Sequence, residues 1–521
     1  MSILAVDVGS SRCKTVVFSS SGEILAQSAR QYCPQFPQPG FAEVPPMVFW
    51  DALRTTAQDA VRGSLHDPVQ ALCLSSHAET FVPVNREAQP LGSAILNMDS
   101  RATAESDWCE KELGRRRIFE ITGHIVHPMY PIPKILWFKR HRPKSFAEAE
   151  RFLGVTDFLL TRLGLPPYID YSLASRFLAF DVRRACWSEE ILSAAGIAGE
   201  RLPVPVPAGT VAGKLSAEAA AQIGVPAGAV VVVGGHDQPC GALGVGVVKA
   251  GRVADSMGTY ECLLASSPHP SLSDAAFSAS LNTYRHVVPE QFVTLAYFPA
   301  GIMVKWLHDL LYGSGDSSGN NVSEVEDYAR LEARAPAEPS GICVLPHLIG
   351  TCNPDFNPRA RGTIFGLTPA TTREQLYQAV LEGIACELAL MAEILGRAAG
   401  DFADVYGSGG GTRSPLGLRL RAALSGRRFH VMRCPEAVCL GSAVLAGVAT
   451  GIYSSLAEAI GALVREERVV EPDPALAAAY EDQVRQYRSL YPALAPVREH
   501  AADAGDWRQL DPHFAQGGEP Q

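Results

Sequence analysis

Residues 3–8, Ile-Leu-Ala-Val-Asp-Val, are an apolar run broken by one carboxylate, and residues 14–18 form a second β-type run. Between them Gly9-Ser10-Ser11 predicts a turn, so the two runs are expected to pair as a hairpin. Ser20-Ser21-Gly22 closes the second run and residues 24–26 start a third, which predicts a three-stranded meander. After a Pro- and Gly-rich stretch at 34–46, apolar residues recur at helical spacing over 48–62. Further on, short apolar runs such as 71–74 and 229–233 alternate with helical stretches, the pattern of layered α/β folds. The predicted fold class is α/β.

A second meander is expected near the middle, where residues 251–259 run into 261–265. Both places read as strand, Asp, small residues with Gly and Ser or Thr, then strand. The echo predicts two domains of related architecture, residues 1–247 and 248–495. Beyond Leu494 the chain turns polar, and 496–521 is expected to be a flexible tail.

The 521 residues exceed what one core accommodates, in keeping with two or more domains at roughly 150 residues each. An apolar fraction of 47% with 19% charged residues excludes a disordered chain. With 45 basic against 55 acidic side chains, the net charge of −10 gives no general attraction to nucleic acid or anionic lipid. No basic segment precedes the first apolar run and Asp7 interrupts it, so no secretion signal is expected. The richest candidate for a membrane span, 229–248, carries His236, Asp237 and Gln238, so none is expected, and the setting inferred is cytoplasmic. Twelve cysteines without a CxxC pair or zinc spacing predict mostly buried thiols, not a disulfide framework or a structural metal.

Candidate chemistry gathers at strand ends. Asp7, Gly9, Ser10 and Ser11 place a carboxylate beside a turn whose N–H groups and hydroxyls can approach a phosphate held with Mg²⁺, with Lys14 within reach; an ordinary polar turn would read the same way. Gly234-Gly235-His236-Asp237-Gln238 reads as strand, tight turn and helix start. Asp237 there can accept a hydroxyl proton as that oxygen attacks phosphorus, or serve merely as a helix cap. The run at 407–414, Gly-Ser-Gly-Gly-Gly-Thr-Arg-Ser, follows a strand-like stretch at 404–406 and precedes a helix over 416–424. Its bare glycines leave room for a flat ring such as adenine; it has neither Walker A nor GxGxxG spacing. His77 and Glu79 follow one strand and Asp99 and Arg101 another, and together they can hydrogen-bond a polyhydroxylated ligand or lie as solvated charges.

In order and spacing these segments resemble the FGGY family of carbohydrate kinases, within the actin-like ATPase superfamily, from residue 3 to about 455. Asp7-Val-Gly-Ser-Ser resembles the family's first phosphate loop, Asp255-Ser-Met-Gly-Thr its second, and the 407–414 run its adenosine loop. Gly40-Phe41-Ala42-Glu43 with Trp50, Lys134-Ile135-Leu136-Trp137, Asp170-Tyr171-Ser172-Leu173-Ala174-Ser175 and Leu440-Gly441-Ser442-Ala443 add to the likeness. The resemblance implies two ribonuclease-H-like domains flanking a deep cleft, with sugar bound in the N-terminal domain and ATP bridging to the C-terminal one. It implies Asp237 as catalytic base and Asp7 as holder of Mg²⁺. Gly9, Ser10, Ser11, Lys14, Gly258 and Thr259 are then expected at the phosphates, and Gly409, Gly410, Gly411 and Ser414 at the adenosine. His77, Glu79, Asp99, Arg101, His236, Asp237 and Gln238 are expected around the sugar.

Two segments bear on the substrate. Ser76-His77-Ala78-Glu79-Thr80 resembles neither the Gln-Met-His-Gly of xylulokinase-like members nor, lacking its Arg, the Asn-Gln-Arg-Glu-Thr of glycerol-kinase-like ones. Gly-Gly-His-Asp-Gln likewise departs from both patterns. The reading is a ketose, a pentulose or hexulose, with a short polyol such as erythritol or glycerol as the alternative. A nucleotide-dependent switch or assembly protein of the same superfamily, and a homologue that binds sugar without turnover, are the rival classes. The partners expected are small molecules, with no nucleic acid or membrane; the resemblance allows a homodimer.

Overall fold

The computed structural model describes residues 2–64, 66–313 and 324–502. The first sheet is built from β1 (Ser2–Val8), β2 (Arg12–Ser19), β3 (Ile24–Gln31), β4 (Val69–Ser76), β5 (Val211–Lys214) and β6 (Val230–His236). Its order is β5-β6-β4-β1-β2-β3. The expected meander β1 to β3 is antiparallel, β4 and β6 run parallel to β1, and β5 closes the edge antiparallel.

The second sheet takes β7 (Arg252–Met257), β8 (Tyr260–Ser267), β9 (Asn282–Arg285), β10 (Phe292–Pro299), β11 (Asp404–Gly409), β12 (Arg428–Met432) and β13 (Glu466–Val470), in the order β9-β10-β8-β7-β11-β12-β13. Here too a meander, β7-β8-β10, is followed by two strands parallel to β7 and an antiparallel edge. Except for the added β9, the second sheet repeats the first. The echo seen in two short sequence segments is thus a repeat of whole sheets.

Alternation along β1 shows how the first sheet is covered. Leu4, Val6 and Val8 join the core beneath α1 (Met47–Arg62), whose Phe49, Leu53, Ala57 and Ala60 recur at helical spacing. Ile3 and Ala5 face the other way, onto Leu440, Ala443 and Val444. Those residues belong to α5 (Ala437–Ala449), a helix from the second half of the chain. Between the sheets it lies against α2 (Asp237–Gly244), which carries Ala242 into a core with Ala254 and Leu264 of the second sheet. Glycine is required at this crossing: an added Cβ at Gly244 would sit 1.9 Å from Ala437 O, and one at Gly441 1.9 Å from Cys240 O. In the second half, α3 (Arg373–Ala399) begins with a Thr372/Gln375 capping box and is buried along most of its length. The helix α4 (Pro415–Ser425) follows β11.

Two expectations about elements are corrected. Gly234 and Gly235 do not form a tight turn; β6 runs through them to His236 and α2 starts at the next residue. Their lack of side chains is set by packing, since a Cβ on Gly234 would lie 2.2 Å from Leu74 O and one on Gly235 2.4 Å from Val287 Cγ1. The stretch expected as a tail begins with a helix, Ala495–Ala502, while residues 503–521 lie outside the described residues.

Candidate active site

Asp7 points to the same face of β1 as Ile3 and Ala5, toward α5. Burial pushes its carboxyl up to about 8, and Asp237 and Glu436 push it further than Lys14 and Arg12 pull it back. Its Oδ1 is sealed from solvent and has no hydrogen-bond partner. The turn after it is tight: Gly9 N donates to Arg12 O at 2.8 Å, and the Tyr32 hydroxyl donates to Gly9 O. Ser10 is half-buried and Ser11 exposed at its tip. Lys14, expected to reach an anion, forms a 2.5 Å ion pair with Glu436 instead. Glu436 immediately precedes α5, so this pair ties the two halves together.

Asp237 is the first residue of α2. Its side chain is 23% exposed while that of His236 is 7% exposed, so the carboxylate reaches open space from a buried strand end. Burial raises its pKa, yet His236 above all, then His77 and the Gln238 N–H, together outweigh burial and hold Asp237 below the usual carboxylate range. His236 Nε2 lies 2.9 Å from Asp237 Oδ1 without completing a hydrogen bond, and the buried Gln238 Oε1 also has no partner. Behind them Ser172 Oγ accepts from His236 N at 2.9 Å, and Asp170 accepts from Ser172 N and Leu173 N at 2.7 and 2.9 Å. The strand end is thereby fixed, and with it the direction of Asp237.

The expected sugar-side residues divide into two groups. His77 is buried: its Nδ1 lies 2.9 Å from Val8 O and its Nε2 2.8 Å from the Thr80 hydroxyl. Burial lowers its pKa, which keeps the ring neutral. Glu79 has φ of +61°, an uncommon conformation for a side-chain-bearing residue. It is fixed from both sides, since its carboxylate pairs with buried Arg176 and its backbone O accepts from Lys134 Nζ at 2.9 Å. Asp99 and Arg101, by contrast, spend their hydrogen bonds largely within the protein. Arg101 makes a bidentate pair with Asp99, Nε to Oδ1 at 3.0 Å and Nη2 to Oδ2 at 2.7 Å, and Asp99 also accepts from Ala42 N at 2.6 Å. Arg101 pairs in addition with Glu43 at 2.7 Å, and its guanidinium stacks 3.9 Å from the Phe41 ring. Asp99 and Arg101 thus brace one another.

Beside His236, Tyr284 of β9 enters from the second half of the chain. Its ring centroid lies 5.7 Å from both His236 and His124, and the Arg176 guanidinium sits 5.2 Å from it. Arg176, His124, Tyr284 and Lys134 were not singled out as site residues in the sequence. Arg176 directly follows the segment 170–175, and Lys134 opens the segment 134–137, so the nearest signals were polar residues adjoining or within matched runs.

In the second half, the turn at Gly258 and Thr259 is exposed and packs against the start of the helix Gly301–Tyr312, with Gly301 N donating to Gly258 O at 3.1 Å. Behind it, both carboxylate oxygens of buried Asp255 lack partners. Burial, then Glu261, drives its pKa well above the ordinary range. Glu261 itself is held by a buried bidentate pair with Arg421 at 2.8 and 2.6 Å. The glycine run lies against β7. A Cβ on Gly409 would come 2.7 Å from Met257 O, and one on Gly411 2.8 Å from Met257 Cβ. Only Gly410 of the three has open space around it. Thus Met257 leaves no room for a side chain at either position, through its backbone at Gly409 and its side chain at Gly411. Ser414 is likewise committed, capping α4 through Gly417 N at 2.9 Å and donating to Glu332 at 2.8 Å.

Asp7, with a buried, unpartnered oxygen beside two further carboxylates, fits a divalent cation. Among the described residues no cluster of three or more His, Cys, Asp or Glu can hold a metal by itself. The donor set therefore suits an ion that takes most of its ligands from phosphate oxygens and water.

Residues 2–244 match the N-terminal domain, and residues 253–450 the C-terminal domain, of the FGGY family of carbohydrate kinases. The chain belongs to this family. As an FGGY carbohydrate kinase it takes ATP and a small sugar or polyol as substrates, which sets aside the reading as a switch without a sugar. Among relatives, the xylulose kinase of Escherichia coli is 28% identical over 95% of this chain and 99% of its own length. The gluconokinase of Bacillus subtilis is 25% identical over 94% of each, and the glycerol kinase of a Polaromonas strain 29% identical over 93% of this chain and 99% of its own. The crystal structure of xylulose kinase from Rhodospirillum rubrum superposes with a TM-score of 0.84 at 24% identity, covering 96% of this chain and 100% of that one. Gluconate kinase from Lactobacillus acidophilus gives 0.84 at 23% identity over 95% and 98%. At these identities the structural likeness establishes the two-domain fold.

Proposed function

We propose that this FGGY kinase transfers the γ-phosphoryl group of ATP to a hydroxyl of a ketose, with Asp237 as the general base. The observation that carries the reading is a partly exposed carboxylate held ionised at a strand-to-helix junction, beside a His236 ring that packs 5.7 Å from Tyr284 of the second half. In that place Asp237 takes the proton of the sugar hydroxyl as its oxygen attacks phosphorus, a role worth roughly 10²–10⁴ in rate. His236, anchored by Ser172, keeps the carboxylate charged and directed. Asp7 would hold Mg²⁺, whose charge offsets that of the phosphate oxygens. The turns at Gly9–Ser11 and Gly258–Thr259, at the ends of equivalent strands, would supply N–H groups to the phosphates. Gly410 is the position in the glycine run with room for the nucleotide, and release of Lys14 from Glu436 would let it meet phosphate.

Xylulose kinases recur among the relatives, which favours a pentulose. A short polyol is the second reading, favoured by the retained Glu79-Thr80 and by the 29% identity to a glycerol kinase. Twelve free thiols, most of them buried, suit a reducing cytoplasmic setting. Sugar-dependent ADP release, measured with Mg²⁺ across pentuloses, hexuloses, aldoses and short polyols, tests the proposal. A ketose should give the highest kcat/KM, and sugar-independent ATP hydrolysis alone would refute it.

A further inference from the structure

Asp7 and Lys14 stand directly opposite one another in the antiparallel pair of β1 and β2. Residues so opposed project to the same face of a sheet, with Cβ atoms about 5 Å apart. A lysine side chain spans that gap, so an ion pair across the hairpin is the contact that local geometry offers first. The protein makes a different one. Lys14 Nζ lies 2.5 Å from Glu436 Oε1, in the second half of the chain, while Asp7 Oδ1 is buried without a hydrogen-bond partner. Buried carboxylate oxygens are ordinarily satisfied, and this one is bare with a cation on the neighbouring strand.

Glu436 is placed to hold that cation. It is the residue before α5, yet its side chain makes no capping hydrogen bond to the helix, so its carboxylate is left for Lys14. Both side chains of the pair are largely buried, which limits screening by water and salt. The element that carries Glu436 is itself fixed, because α5 crosses α2 at Gly244 and Gly441 with no room for a methyl group. A carboxylate already paired with an ammonium has its charge cancelled and an oxygen occupied, so a divalent ion would first have to break the pair. An unpaired carboxylate keeps its charge and both oxygens for the ion.

Building on the kinase reading above, in which Asp7 holds Mg²⁺, we infer that Glu436 is a positioning residue that draws Lys14 away from Asp7 and so keeps Asp7 free for the metal. It acts through Lys14 and not on the ion. Because Glu436 belongs to the second half of the chain, the readiness of a carboxylate in the first half depends on how the two halves are joined.

The test uses the full-length protein and calorimetry of ADP binding, once with Mg²⁺ and once with EDTA. The ratio of the two affinities measures how far Mg²⁺ strengthens nucleotide binding. Glu436→Gln keeps the size of the side chain and releases Lys14 to Asp7. The ratio should fall roughly 10- to 100-fold, the scale of one hydrogen bond between charged groups, with the affinity in EDTA and the Tm nearly unchanged. In a Lys14→Met background, where no ammonium can reach Asp7, adding Glu436→Gln should leave the ratio within about 2-fold. A crystal structure of Glu436→Gln should show Lys14 Nζ paired with Asp7. An unchanged ratio in Glu436→Gln overturns the inference. An equal fall in both backgrounds also overturns it, since Glu436 would then act on the ion directly. Wild-type ADP binding that is indifferent to Mg²⁺ overturns the assignment of Asp7 to the metal, and this inference with it.

Discussion

Gly441→Ala tests how the two halves are registered. The single methyl would lie 1.9 Å from Cys240 O, and opening that approach to an ordinary contact near 3.4 Å requires a shift of about 1.5 Å. Neither side yields easily, because the obstructing atom is backbone and both helices are packed between the sheets. Overpacking of this kind costs about 1–3 kcal/mol. The displacement is also transmitted to chemistry: α2 begins with Asp237, and α5 directly follows Glu436, the partner of Lys14. A misplacement near 1 Å can cost about 100-fold in rate. Gly441→Ala should therefore lower kcat/KM about 100-fold and lower the Tm, read by coupled ADP release and by calorimetry. Gly461→Ala is the control. It lies in the helix Leu456–Leu463 with nothing within 4 Å of an added Cβ, and should stabilise by about 0.5–1 kcal/mol with activity unchanged. Wild-type turnover and Tm in Gly441→Ala would refute the claim that this crossing sets the distance between the halves.

Two further outcomes follow from buried charges. Arg421→Met strands Glu261 beside Asp255 and should cost about 3–5 kcal/mol in urea unfolding; a change below 1 kcal/mol would show that the pair does not anchor β8 to α4. Lys134 is pushed down from 10.5 to about 7 because burial outweighs Asp99 and Glu79. Below pH 7 the fold therefore carries the whole cost of the buried ammonium. Between 7 and 10.5 the unfolded chain holds the extra proton, so wild-type stability should rise with pH relative to Lys134→Met, by up to about 1.4 kcal/mol per unit. Urea melts of both proteins at pH 7 and 9 measure the difference, and a constant gap would refute it.

Local patterns carried much of this architecture. The apolar runs at residues 3–8 and 14–18 and the turn between them gave β1 and β2, because a strand covered on both faces is apolar throughout and a hairpin turns on small residues. What stayed hidden depended on distant partners. The glycines at 234–235 read as a tight turn and those at 409 and 411 as room for a ring in sequence, whereas all four are hemmed in by Leu74, Val287 and Met257, residues far away along the chain. Asp99 and Arg101 were legible as polar residues at a strand end, but sequence does not reveal that they satisfy each other. Tyr284 was invisible for the converse reason, since an aromatic in a strand reads as core until the fold brings its ring beside His124 and Arg176.

The most direct measurement of the central claim is turnover by Asp237→Asn, which keeps the shape of the side chain and removes its basicity. With the best sugar and Mg²⁺, kcat should fall by about 10² or more while sugar and ATP still bind with near-wild-type affinity in calorimetry. Turnover within a few-fold of wild type would mean that another group removes the proton.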